Sequence, residues 1–352
     1  MHTTSAGVPS LTRRALFAAT GIGLVTAAAS LVGCGSADAN ASSTAVSSEA
    51  GALKTVRIAV PGRDGTLAES ARIAQTRGFL EEELRKVGYQ PAYTGFVQAG
   101  PAINEGLAAG SIDLAEYADL PGYSAIAKGV AVKAFASTNS AGHGAIFASA
   151  ASGVKDLAGL KGKKIAVGFG TASHHYLLQA LASVNLMPKD VELVNAATDG
   201  ATMVTAGQAD AYASALFDVL NTAGKAKGTI IGSTQEHPEW ASMFLFFYRA
   251  DFNRENPKVA PAVVRALQRA YRLASTDSNA GYKALTSKMI SEDMARKLYA
   301  TGFDSLDPAI TEDVKHKVET LGAFMKDNKL VSKTVSVDEY FDEQPLRQAQ
   351  AD

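Results

Sequence analysis

One cysteine, Cys34, occurs in 352 residues, so no disulfide can form within the chain. No HExxH, GxSxG or P-loop spacing is present. The six histidines, His2, His143, His174, His175, His237 and His316, have no metal-ligand spacing beyond the adjacent pair 174–175, which argues against a transition-metal site. Gly168-Phe169-Gly170 is half of a dinucleotide fingerprint. Ser173 stands at the third glycine position and no acidic residue closes a following strand, so no nicotinamide cofactor is expected, nor any other. Charge of one sign is lacking too. Loss of the first 33 residues would remove Arg13 and Arg14 and no acid, moving the net charge from −1 to −3. That balance does not suit nucleic acid or an anionic membrane surface as partner. After the first 33 residues no long hydrophobic run recurs.

The cysteine closes Leu31-Val32-Gly33-Cys34, behind an apolar run from Ala15 to Val32 that follows Arg13 and Arg14. This is the layout of a bacterial lipoprotein signal, in which Cys34 is lipidated and becomes the N-terminus. Thr12-Arg13-Arg14-Ala15-Leu16-Phe17 resembles a twin-arginine export signal. A run of about 18 apolar residues also just suffices to cross a bilayer core of about 30 Å, and cleavage after Ala39-Asn40-Ala41 would yield a soluble periplasmic protein. The place of the cysteine favours the lipid anchor over both. Residues 1–33 therefore read as signal and 34–52, rich in Ser, Ala and Thr, as a flexible tether. The protein is expected to be extracytoplasmic and monomeric.

From 53 onward, short apolar runs alternate with glycine turns and helical periodicity, the pattern of an α/β protein. Thr55–Val60 predicts a strand followed by a helix from Thr66 to Val87, with Gly88 as its stop. Asp119-Leu120-Pro121-Gly122 predicts a loop before a helix at Tyr123. Gly168–Ser173 leads from a strand into a helix at His174. Such a turn offers unpaired N–H groups and a partial positive charge to an anion. Thr171 and Ser173 add hydroxyls, and His174 an N–H or a charge, although either hydroxyl would equally serve to cap its own helix. Arg63, Gly100 and Asp119 occupy comparable strand-to-helix loops, and Tyr212 and Phe217 are candidates for an apolar wall. His143 reads as a loop histidine facing solvent.

Gly100-Pro101-Ala102-Ile103-Asn104-Glu105-Gly106-Leu107-Ala108-Ala109-Gly110-Ser111-Ile112-Asp113 resembles the solute-binding proteins of aliphatic sulfonate, taurine and nitrate ABC importers. Asp156–Val167 is similar to their crossover between lobes, Thr171–Leu181 resembles the sulfonate-binding branch, and Gly207-Gln208-Ala209-Asp210-Ala211-Tyr212 matches a recurrent turn-and-strand motif. Two departures stand out. The family often has Asp-x-Pro-Pro at 119–122, and Trp-Asp-Pro where this chain has Phe217-Asp218-Val219. The resemblance implies the periplasmic binding protein type II fold. Lobe one would comprise 53–144 plus 250–352, lobe two 145–249, with hinges near Gly144 and Arg249. It further implies capture of a small organic anion, a sulfonate or sulfate ester foremost, and delivery to a permease with a cytoplasmic ATPase. Nitrate and carboxylates are the alternative ligands. An exported enzyme on the same fold and a sensor lipoprotein are the alternative classes.

Overall fold

Val56, Ile58, Ala59 and Val60 are inaccessible to solvent, which sets the first strand, β1 (Lys54–Pro61), deep in a sheet. The computed structural model describes residues 52–196 and 198–351; Arg13, Arg14 and Cys34, with the expected signal and nearly all of the tether, lie outside the described residues. After β1 come α1 (Glu69–Thr76), α2 (Phe79–Lys86), β2 (Tyr89–Phe96), α3 (Gly100–Ala108), β3 (Leu114–Ala118), α4 (Asp119–Ala127) and β4 (Val132–Asn139). The chain then enters a second array: β5 (Gly144–Ser149), β6 (Lys164–Val167), α5 (Ala172–Ser183), β7 (Glu192–Asn195), α6 (Gly200–Thr205), β8 (Ala211–Ala215), α7 (Leu216–Ala223) and β9 (Gly228–Ser233). It returns through β10 (Phe244–Arg249) and ends in α8 (Ala250–Glu255), α9 (Val259–Thr276), α10 (Ser278–Ala284), α11 (Glu292–Leu298), α12 (Glu312–Asp327), α13 (Val337–Tyr340) and α14 (Gln344–Ala351).

Two mixed sheets result, ordered β2-β1-β3-β10-β4 and β7-β6-β8-β5-β9. In the first, β1 runs parallel to β2 and β3 while β10 is antiparallel to β3 and β4. In the second, β6 runs parallel to β7 and β8 while β5 is antiparallel to β8 and β9. Each sheet thus carries one antiparallel strand in the same place. The α/β architecture is the one that the resemblance implied.

Three local expectations are corrected. The single helix predicted from Thr66 to Val87 is two, α1 and α2, because Gly78 adopts φ 71° between them. The loop predicted at Asp119–Gly122 is the first turn of α4. Pro121 fits there because the first N–H groups of a helix have no intrahelical partner to lose. A Cβ on Gly122 would collide with the Phe247 ring, so glycine is what lets α4 lie against β10. Finally, β10 belongs to the first sheet, so the return between sheets precedes Phe244 and does not follow Arg249.

The terminal helices cover the first sheet. Val263, Val264, Ala266, Leu267 and Ala270 give α9 a continuous buried stripe, and Glu83 of α2 is held by Arg265 at 3.1 Å and Arg269 at 2.9 Å from that helix. The tail is pinned by polar contacts as well, since Tyr340 donates to the Asp119 carbonyl at 3.0 Å and the Val335 N–H to Tyr123 Oη at 2.6 Å.

Candidate functional site

Loops at the carboxyl ends of strands from both sheets meet. Arg63, exposed in the loop after β1, donates from Nη2 to Thr198 Oγ1 at 3.4 Å, and Thr198 precedes α6 of the second array. Gly100 opens α3, where a Cβ would collide with Pro121 of α4. Gly170 adopts φ 70°, and a Cβ there would lie 3.5 Å from Pro101 Cγ. The turn between β6 and α5 therefore faces the start of α3.

Within that turn the side chains have specific duties. Thr171 occupies the N-cap of α5 but does not cap it; its Oγ1 donates to the Gly168 carbonyl at 2.7 Å. The first-turn N–H groups of α5 are left without a side-chain acceptor. His174 accepts the Gly170 N–H on Nδ1 at 3.3 Å and stacks on Phe169 with centroids 5.3 Å apart. That bond leaves the proton on Nε2, and burial lowers the imidazole's pKa, so His174 offers a neutral N–H donor. Ser173 lies next in the chain, half-buried, with its hydroxyl beside the Tyr176 phenol. His175 points away. It is buried against Ser242 Oγ at 3.0 Å and Gln179 at 2.9 Å, and burial pushes it down to about 4.

The remaining sequence candidates are not gathered at this turn. Asp119 is 2 % exposed. Its Oδ1 accepts from Leu120 N at 2.7 Å and its Oδ2 from Met243 N at 2.9 Å, which staples α4 to the start of β10. Burial raises its pKa to about 6 against these hydrogen bonds. Tyr212 is buried in β8 against Phe147, with its hydroxyl on the Asp218 carbonyl at 3.3 Å. Phe217 is half-buried on α7 and packs on the core. Its neighbour Asp218 lines an open cavity of about 530 Å³, with Thr202, Asn221 and Lys225 on one side and Ser287 and Lys288 on the other. Asn221 Nδ2 donates to the Met289 carbonyl at 3.0 Å beside it. That volume lies within the usual range for small-molecule sites.

A polar group that sequence reasoning missed sits where the chain leaves the first sheet. Glu116, wholly buried in β3, accepts the Ala68 N–H at 3.2 Å and pairs with Thr138 Oγ1 at 3.0 Å. Beside it Glu69 accepts from Asn139 Nδ2 at 2.8 Å and from the Tyr299 hydroxyl. His143 does not face solvent as expected: its ring stands edge-on to Tyr299 at 5.0 Å and its Nε2 is buried with no hydrogen-bond partner. The available signal was an acidic residue inside the apolar strand Leu114-Ala115-Glu116-Tyr117-Ala118.

Comparison with known proteins agrees with this architecture. A "Putative aliphatic sulfonates-binding protein" from Bacillus subtilis (strain 168) is 26% identical over 291 residues, covering 82% of this chain and 81% of that protein. A "Putative thiamine biosynthesis protein" from Haemophilus influenzae (strain ATCC 51907 / DSM 11121 / KW20 / Rd) is 25% identical over 277 residues, covering 76% and 85%. Among solved structures, the "putative sulfonate ABC transporter, periplasmic sulfonate-binding protein" from Methylobacillus flagellatus KT superposes with a TM-score of 0.69 at 26% identity, covering 85% of this chain and 94% of that one. The NMT1/THI5-like family model matches residues 72–279, well over half of the chain, and the chain belongs to that family.

Proposed function

We propose that this protein is the extracytoplasmic solute-binding component of an ABC importer, held at the membrane by lipid on Cys34. In this reading the two sheets are the cores of two lobes that close on a small organic anion and present it to a permease. The observation that carries it is the meeting of strand-end loops from both sheets, with the β6–α5 turn facing Pro101 and Arg63 reaching Thr198. The likeness to proteins named for sulfonate binding supports a sulfonate or sulfate ester as the solute.

The oxyanion would sit on the first-turn N–H groups of α5 with Ser173 and the His174 Nε2–H. Charge-assisted hydrogen bonds of this kind contribute about 1.5 to 3 kcal/mol each. The neutral imidazole donates without the strong pH dependence of an imidazolium. Titration calorimetry against alkanesulfonates, sulfate esters, nitrate, inorganic sulfate and small carboxylates tests the assignment. Organosulfonates or sulfate esters should bind most tightly, and Arg63→Ala should weaken them. Tight binding of nitrate or inorganic sulfate with failure of every organosulfonate and sulfate ester would overturn it.

A further inference from the structure

Four residues from three parts of the fold converge on Glu69 and Glu116. The N–H of Ala68, just ahead of α1, and the Thr138 hydroxyl near the end of β4 hold Glu116. Asn139, the last residue of β4, and Tyr299, which follows α11, hold Glu69. No lysine or arginine is paired with either carboxyl among the described residues. The facing titratable groups are Tyr299, whose phenol burial and the two carboxylates keep protonated, and His143, held neutral by burial. Phe246 stands opposite Glu116 from β10, and β1 contributes apolar Ala59 next to β3, so neither flanking strand supplies a counter-charge here.

Two neighbouring carboxyls in such a place cannot both ionise without a large cost. Burial, with Glu69 adding to it, raises Glu116 to about 8. A neutral Glu116 keeps both contacts, one oxygen accepting from the Ala68 N–H and the other from the Thr138 hydroxyl, and sets no second negative charge beside Glu69.

We propose that Glu69 and Glu116 form a proton-dependent clasp on residues 139–144, the first passage between the sheets: with the proton present the passage is tied to α1, and its loss releases the tie. The consequence for solute capture rests on the reading of that passage as a hinge; the clasp itself does not.

The test is amide hydrogen exchange of the peptide spanning 139–144 in the full chain without solute. It is read at pH 6.5 and 9 and corrected for the intrinsic change in exchange rate. The expected result is a loss of protection of about tenfold in the natural sequence and none in Glu116→Gln, whose amide carries no charge at any pH. Should Glu116→Gln fail to fold by circular dichroism, Glu69→Gln serves, since Glu116 then ionises with no negative charge beside it and the loss of protection should be much smaller than in the natural sequence. Unchanged protection in the natural sequence, or an equal loss in whichever variant folds, overturns the clasp. Because no solute is present, a failed solute screen leaves this result unaffected.

Discussion

Asp119→Asn offers a quantitative test of what a buried carboxylate does between α4 and β10. Asp119 is raised from 3.8 to about 6, chiefly by burial, and one pKa unit corresponds to about 1.4 kcal/mol. A carboxyl whose pKa is higher in the folded state stabilises fully below the unfolded value, and that contribution is lost as pH rises through the folded value. Between about pH 4 and 6 the natural chain therefore loses roughly 3 kcal/mol through this one group, and the asparagine variant, having nothing to titrate, does not. Urea unfolding followed by circular dichroism at pH 4, 5, 6 and 7 gives the stability difference between the two chains at each pH. The variant should be the less stable at pH 4 and should gain about 3 kcal/mol relative to the natural chain by pH 7. Glu116 titrates in both and cancels. A difference flat to within about 1 kcal/mol would refute the reasoning. Unaltered stability with loss of solute binding would instead place Asp119 in the site.

Ser173→Asp should abolish solute binding by placing a negative charge beside the α5 N-terminus, whereas Ser173→Ala should cost about 0.5 to 1.5 kcal/mol for one hydrogen bond; unchanged calorimetric affinity in the aspartate variant removes this turn from the site. Cys34→Ala should shift the protein from the membrane to the soluble fraction, and intact mass of the natural protein should show a diacylglyceryl adduct on Cys34. An unmodified chain beginning at Ser42 would reject the anchor. Gly122→Ala should destabilise by about 1 to 3 kcal/mol through overpacking against Phe247, read as a lower urea midpoint at unchanged slope.

Much of the element order was legible because the punctuation is local. Gly88 stands at φ 88° where the expected helix stops, and the Gly168–Thr171 turn leads from β6 into α5 as its composition predicts. What stayed hidden depends on distant partners. Asp119 looks polar and loop-like until Met243 arrives 124 residues later to claim its Oδ2. The Glu69 contact with Tyr299 spans 230 residues, and no local pattern encodes it. The apolar residues of 244–249 suit a buried strand in either sheet, and the expected lobe two of 145–249 counted them with the second, since an antiparallel strand between β3 and β4 and an edge strand of the second sheet need the same residues.

The position of β10 has a consequence for how the chain is made. During synthesis β1 to β4 emerge first, yet β3 and β4 cannot be bridged until Phe244–Arg249 has followed them. Until then each presents a hydrogen-bonding edge with apolar side chains on it, the condition in which strands pair wrongly with other chains. The second sheet, whose strands all lie between Gly144 and Ser233, faces no such wait and can complete itself while the first stands open. The nascent protein is therefore vulnerable along its earliest strands, and a chain broken off between Asn139 and Phe244 exposes the same two edges permanently.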